Sequence, residues 1–249
     1  MSDTELTLET FIEKFKKIKE QGWVKTHRSG TTGIGKTLED LLGIDENNIQ
    51  GPDYGTFELK SMRANAGSML TLITKSPDEP PRANTLLRLK FGYSSAAYGN
   101  DAKVLHSTLS TNRYSPNPLG YKLKIACDDN HIMIVSLDSA QVKAVEAKWE
   151  IEKLIFKMDK KLGGQFIYVI AESRGAGANE EFHFTEAFLL NGFSSSGIIK
   201  LVREGKILID LRIGQYNSGK NKGKTHDHGT GFRIFPRDYI HLFQKTRLV

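Results

Sequence analysis

The chain has 249 residues, 35 basic against 29 acidic, for a net charge of +6 and a pI near 9.2. With 39% hydrophobic and 26% charged residues it has the composition of an ordinary globular protein with a sizeable core. Its single cysteine, Cys127, excludes a disulfide scaffold and a cysteine-based zinc knuckle; no apolar run is long enough for a membrane span, and the polar start is unlike a signal peptide. The expected compartment is therefore the cytoplasm. The positive excess tolerates a polyanionic partner without demanding one.

In chain order, Leu6 to Gln21 carries Leu8, Phe11, Ile12, Phe15 and Ile18 at helical spacing. A glycine-punctuated loop, Gly22 to Gly35, follows. A short helix is expected from Thr37 to Leu42, with Thr37 and Asp40 as a capping box and Gly43 as its stop. Thr56 to Met62 alternates Phe57 and Leu59 with Glu58 and Lys60, a strand period, and Met69 to Thr74 reads as the next strand. Three prolines mark Pro77 to Ala83 as a loop. Tyr121 to Cys127 and His131 to Asp138 form an expected hairpin. Helices are expected over Trp149–Leu162, Ser195–Arg203 and Arg237–Gln244, and strands over Phe166–Ala171, Glu181–Phe188 and Ile207–Arg212. Hairpins mixed with helices argue for an α/β or α+β fold with a mixed sheet.

Three segments carry chemistry. Gly30 to Thr37 matches the phosphate-binding loop pattern G-x-x-x-x-G-K-[ST], with Asp210 as a possible magnesium-positioning partner. The motif needs a buried apolar strand before it, however, and Trp23 to Ser29 is mostly polar. Against it stands a plain glycine loop that opens a helix.

The second segment, Pro52-Asp53 to Glu58-Leu-Lys60, has the residue types of metal-dependent phosphodiester cleavage. Carboxylates hold a cation against the scissile phosphate, and a lysine orients the attacking water. On a strand, Glu58 and Lys60 share a face while Phe57 and Leu59 turn to the core. Asp53 stands at the strand entrance, and Glu39 lies on the helix just upstream. Acid-x-Lys also occurs at Asp101/Lys103, Glu146/Lys148, Asp159/Lys161 and Glu204/Lys206, so the pattern alone leaves a solvent-facing ion pair equally open.

The third is Asp210-Leu-Arg212 through Lys220, Lys222, Lys224, His226 and His228 to Arg233. From Arg212 to Arg233 five basic residues face one acid, Asp227, which places +4 of the chain's +6 in 22 residues. Lysines suit phosphates, Arg and His suit guanine O6 and N7, and Asp210 suits cytosine N4. A zinc site on His226 and His228 and an unspecific solvated loop are the competing readings. The other histidines, His27, His106, His131, His183 and His241, sit singly and read as structural.

In these blocks the chain resembles the MvaI and BcnI family of type II restriction endonucleases, in the MutH-like branch of the PD-(D/E)XK nucleases. The resemblance rests on Gly33 to Leu42, Pro52 to Lys60, Leu70 to Pro77, Ala83 to Arg88, Asp210 to Gly214 and, most specifically, Ser218 to Ile234; Ser94 to Asn191 contributes nothing to it. It implies a mixed sheet flanked by helices, with two lobes around a DNA cleft. That is one nuclease domain over 1–249, divided into a catalytic lobe (about 1–115) and a DNA-recognition lobe (about 116–249). It further implies Asp53 and Glu58 as Mg²⁺ ligands, Lys60 as the catalytic lysine, Glu39 as an accessory carboxylate, and Asp210, Arg212, His226, His228 and Arg233 on the DNA-reading segment. The implied activity is cleavage of double-stranded DNA at a short CC…GG site with a variable central base pair, by a monomer cutting the strands in sequence. A cognate DNA methyltransferase is the implied companion. The alternatives are a MutH-like strand-nicking repair endonuclease, a phosphate-loop NTPase and a non-catalytic DNA-binding module.

Overall fold

The computed structural model describes residues 7–44, 55–95, 102–227 and 230–249. In chain order its elements begin α1 (Leu8–Glu20), β1 (Trp23–Lys25), α2 (Gly33–Leu42), β2 (Glu58–Arg63), β3 (Leu70–Thr74), α3 (Ala83–Phe91), β4 (Tyr93–Ser94) and β5 (Lys103–Leu109). Then come β6 (Ser115–Pro116), β7 (Lys122–Cys127), β8 (His131–Leu137), β9 (Lys143–Glu150), α4 (Ile151–Leu162), β10 (Phe166–Arg174) and β11 (Glu181–Asn191). The chain closes with α5 (Ser195–Arg203), β12 (Ile207–Gln215), β13 (Thr225–Asp227), β14 (Gly231–Ile234), α6 (Pro236–Tyr239) and β15 (Gln244–Arg247). The mixed α/β class is as expected. No helix among the described residues is long and apolar enough to cross a membrane.

The contacts gather into two units: Met1–Ser68, Gly163–Ser194 and Pro236–Val249 in the first, Met69–Leu162 and Ser195–Phe235 in the second. A division near residue 115 does not describe them, because strand pairing draws distant stretches together: β10, from residue 166 on, lies parallel beside β2 of the N-terminal stretch.

In the first unit the sheet order is β1-β11-β10-β2, with β15 also on β11. β1 and β15 pair with opposite ends of the same edge of β11. α1 and α2 cover one face, and Phe11, Phe15, Ile34 and Leu38 pack with Leu59, Ile167, Val169, Phe182 and Phe184. Removing either α1 ring would cost about 3–5 kcal/mol. Thr7 caps α1: its hydroxyl accepts from the Thr10 amide (3.3 Å) and the Thr7 amide donates to the Thr10 hydroxyl (3.0 Å).

Four expectations are corrected. The stretch after Gly22 contains a strand, β1. Helix α2 opens at Gly33, so Thr37 lies inside it: the Thr37 hydroxyl donates to the Gly33 carbonyl (2.8 Å) and accepts from the His27 amide (3.0 Å). Asp40 accepts instead from Lys36 (2.7 Å) and His27 Nδ1 (2.8 Å), and these two bonds hold its carboxyl below the usual range. Trp149 is the penultimate residue of β9 rather than the start of a helix; its indole is buried and Nε1 donates to the Lys75 carbonyl (2.9 Å). The closing α-helix spans Pro236–Tyr239 and passes into a 3-10 turn over Ile240–Leu242, after which the chain pairs β15 with β11.

The second unit holds two sheets. One runs β3-β14-β12-β5-β4, with β13 also on β12, and the other runs β6-β7-β8-β9, containing the expected hairpin. Helix α3, which periodicity left unassigned, buries Asn84, Leu87, Arg88 and Phe91.

Candidate active site and DNA-reading face

Glu58 and Lys60 stand on β2, the edge strand of the first unit's sheet. Alternation buries Leu59 in the core and leaves both charged side chains on the opposite face, 37% and 46% exposed and ion-paired with each other. In the parallel register Phe166 lies beside Glu58 and Tyr168 beside Lys60. Phe166 meets Phe243 edge-on (5.5 Å), and Tyr168 stacks on Tyr239 (5.5 Å between centroids, 25°). The charged pair thus adjoins a buried aromatic floor. Burial, helped at Tyr239 by the charge of Glu58, pushes both phenols far above their ordinary range, so neither serves as a base near neutrality.

Glu39 stands on α2. A Cβ built on Gly35 would lie 3.7 Å from both Glu39 Oε1 and Ser61 Oγ, so both side chains border this glycine. By the strand period Ser61 is on the face opposite Glu58 and Lys60. Asp53 lies outside the described residues. A cation that binds oxygen donors fits what is described: Glu58 offers an accessible carboxylate, and magnesium needs few protein ligands because it retains waters and takes phosphate oxygens. Among the described residues no three His, Cys, Asp or Glu side chains gather as a metal group.

The phosphate-loop pattern acquires a different meaning. The hydroxyl that would face a metal, on Thr37, is fully buried between two backbone groups, and Lys36 is paired with Asp40. Gly33 is required by packing, since a Cβ there would stand 2.2 Å from the Arg28 carbonyl oxygen.

In the second unit β12 carries the third segment. Asp210, Arg212 and Gly214 share one face, and directly opposite partners share it too: Thr108 and His106 on β5, Gly231 on β14, His226 on β13. Ile207, Ile209, Leu211 and Ile213 fill the other face. Asp210 has a side chain only 3% exposed and accepts from Thr108 Oγ1 (2.7 Å), Arg212 Nη2 (3.0 Å) and Arg233 Nη1 (2.7 Å). Arg233 Nη2 also donates to the Met69 carbonyl (3.0 Å). A carboxylate so buried and so engaged orients two guanidinium groups. Arg212 remains 43% exposed. The His226 ring lies against Tyr216 (4.5 Å, 38°). Lys220, Lys222 and Lys224 line an exposed turn before β13, and His228 lies outside the described residues.

Sequence reasoning missed His106, Thr108 and Tyr216 on this face. His106 was set aside as a lone histidine, although its register partner is Arg212. Tyr216, an exposed aromatic inside the basic segment, was the one detectable signal. The candidates also separate by unit: Glu39, Glu58 and Lys60 belong to the first, and Asp210 through Arg233 to the second.

The model of the MvaI/BcnI restriction endonuclease family matches residues 12–243. Among solved structures, the restriction endonuclease MvaI in complex with its cognate DNA substrate is 35% identical, with a TM-score of 0.69 and full coverage of both chains. MvaI in the absence of DNA is 34% identical, with a TM-score of 0.71 and the same coverage. A search of curated proteins gave no match.

Proposed function

This chain belongs to the MvaI/BcnI restriction endonuclease family and is a site-specific deoxyribonuclease, and from that premise we propose that it hydrolyses double-stranded DNA at a short CC…GG-type site with a variable central base pair, using Mg²⁺. The observation that carries the reading is Glu58 beside Lys60 on an exposed edge strand above buried aromatics. Glu58 and Asp53 are the residues that would hold Mg²⁺, with Glu39 as accessory carboxylate. When bound, the cation acidifies water and offsets phosphate charge.

Lys60 donates to the attacking water or to a phosphate oxygen, and its ion pair with Glu58 orients it. In the second unit, Lys220, Lys222 and Lys224 neutralise backbone phosphates, which position the duplex without reading it. Arg212, Arg233, His226 and His228 take the base edges, because guanidinium and imidazole donors suit guanine O6 and N7. The first unit acts as the catalytic part and the second as the recognition part of one nuclease domain. The enzyme works as a monomer in the cytoplasm, cutting one strand and then the other, alongside a methyltransferase that protects the same site.

Plasmid DNA incubated with the protein and Mg²⁺, with sequenced fragment ends, tests this. Expected are discrete fragments ending in one G·C-rich sequence, an open-circle intermediate that precedes linear product, and no cleavage in EDTA. Metal-independent binding without scission would leave a DNA-binding module. Nicking that never proceeds to linear DNA would give the repair-nickase reading.

A further inference from the structure

Helix α3 carries two polar side chains, Asn84 and Arg88, one turn apart and both buried. Arg88, 4% exposed, donates from Nε to Thr225 Oγ1 (3.1 Å), from Nη1 to Gln215 Oε1 (2.8 Å) and from Nη2 to the Gly223 carbonyl (3.3 Å). Asn84 Oδ1 accepts from the buried Thr230 hydroxyl (3.3 Å), and Asn84 Nδ2 donates to Ser76 Oγ (3.0 Å). Gln215 ends β12, Gly223 lies in the basic turn, Thr225 opens β13, and Thr230 directly precedes β14. One helix face therefore grips the DNA-reading segment at its entry, middle and exit.

Every acceptor of Arg88 is neutral, and among the described residues no carboxylate pairs with it. Burial without a counter-charge loosens its hold on its proton. Such a group is costly to keep inside, and an apolar side chain would pack α3 more cheaply. What the charge provides is geometry: a planar fork fixing three points of a segment rich in glycine. By strand alternation Gln215 and Thr225 face away from the side occupied by Asp210, Arg212 and His226. Arg88 thus reaches the reading side chains only through the strands that bear them.

We propose that Asn84 and Arg88 are positioning residues that set the register of the base-reading segment, so that discrimination between sequences depends on them while phosphate affinity and the chemical step do not. This rests on the assignment of residues 210–233 to DNA contact.

The test compares full-length Arg88→Met, Arg88→Lys, Thr225→Val and Asn84→Ala with the parent. The readouts are kcat and kcat/KM on the mapped site and on sites with one base pair changed, and binding of the mapped site across salt concentrations. For Arg88→Met, kcat/KM on the mapped site should fall about tenfold or more, as for loss of charge-assisted bonds. Altered sites should suffer less, so the preference narrows, with kcat on the mapped site held. The salt slope should stay unchanged, because no phosphate contact is lost. Arg88→Lys, which keeps a donor, should recover part of the preference, and Thr225→Val and Asn84→Ala should narrow it without removing the cation. An equal loss on every site accompanied by a lower Tm would reduce the pair to structural support and overturn the proposal. So would a salt slope reduced by about one, which would put Arg88 on a phosphate. If Lys222→Ala leaves the salt slope unchanged and Arg233→Ala leaves site preference unchanged, the assignment of the segment itself fails, separately from the role of Arg88.

Discussion

The two charged constellations of this protein are built on opposite principles. On β2, Glu58 and Lys60 are exposed, with each other as partner. Around β12, Arg212 and, from β14, Arg233 are held by the buried carboxylate of Asp210, which Thr108 also supports. A hydrolytic centre has to admit a hydrated cation, a water and a phosphate, so its groups gain from remaining accessible. A base-reading surface gains from rigidity, because guanidinium groups already fixed in a plane lose less side-chain entropy on binding. On the proposed roles, openness suits the part that exchanges ligands, and bracing suits the part that discriminates among them.

The contrast breaks most sharply at the open pair. Glu58→Ala and Lys60→Ala should each lower cleavage at least about a thousand-fold, as when a preorganised catalytic group is removed. Neither should lower Tm much, since these are exposed positions. Binding to the cleaved site, measured in EDTA, should change little. If binding falls as far as cleavage, the division of labour between β2 and β12 is wrong.

The braced side predicts a mixed outcome. Asp210→Asn preserves shape but releases both arginines, leaving a buried amide opposite donors that want a carboxylate. Affinity for the cleaved site should fall about ten- to a hundred-fold, equivalent to one or two direct base contacts at roughly 1–3 kcal/mol each. Stability should also fall, by about 1–3 kcal/mol, because both arginines retain some access to water. Urea unfolding beside binding assays checks both. An Asp210→Asn protein that folds normally and discriminates normally would mean that the bracing is incidental.

How much of this was legible in the sequence follows from how local each signal is. The face shared by Glu58 and Lys60 could be read from two-residue alternation, and α1 from its apolar spacing. The extent of α2 could not: a capping box was read at Thr37, whereas the helix begins four residues earlier because Gly33 lets the chain pass against the Arg28 carbonyl, a contact with no one-residue signature. Trp149 looked helical because its apolar neighbours continue the α4 period, yet its bond to Lys75 spans 74 positions. The bracing of Arg212 by Asp210 was half visible, two residues apart on a strand. That Asp210 would be buried depended on β5 and β14, which no local pattern pairs with it. Asn84 and Arg88 stood inside a block that marked the family, but apart from Ser76 their partners lie over a hundred residues away.

The smallest effect sharpens the comparison within the first unit, where tight packing lies behind the open pair. Gly33 and Gly35 are two residues apart in the same helix, and intrinsic helix propensity favours alanine over glycine at either by roughly 0.5–1 kcal/mol. At Gly35 the added methyl meets only side-chain atoms at 3.7 Å, an ordinary contact, so Gly35→Ala should raise stability by up to that amount and leave cleavage unchanged. At Gly33 the methyl would overlap the Arg28 carbonyl oxygen at 2.2 Å and crowd the Thr26 hydroxyl at 2.8 Å, so the sign should reverse, with a loss of about 1–3 kcal/mol as for overpacked sites. Thermal unfolding of the two variants separates these outcomes. Equal stabilisation at both positions would show that the approach of the loop to α2 is slack. The glycine pattern that imitates a phosphate loop would then need an explanation other than packing.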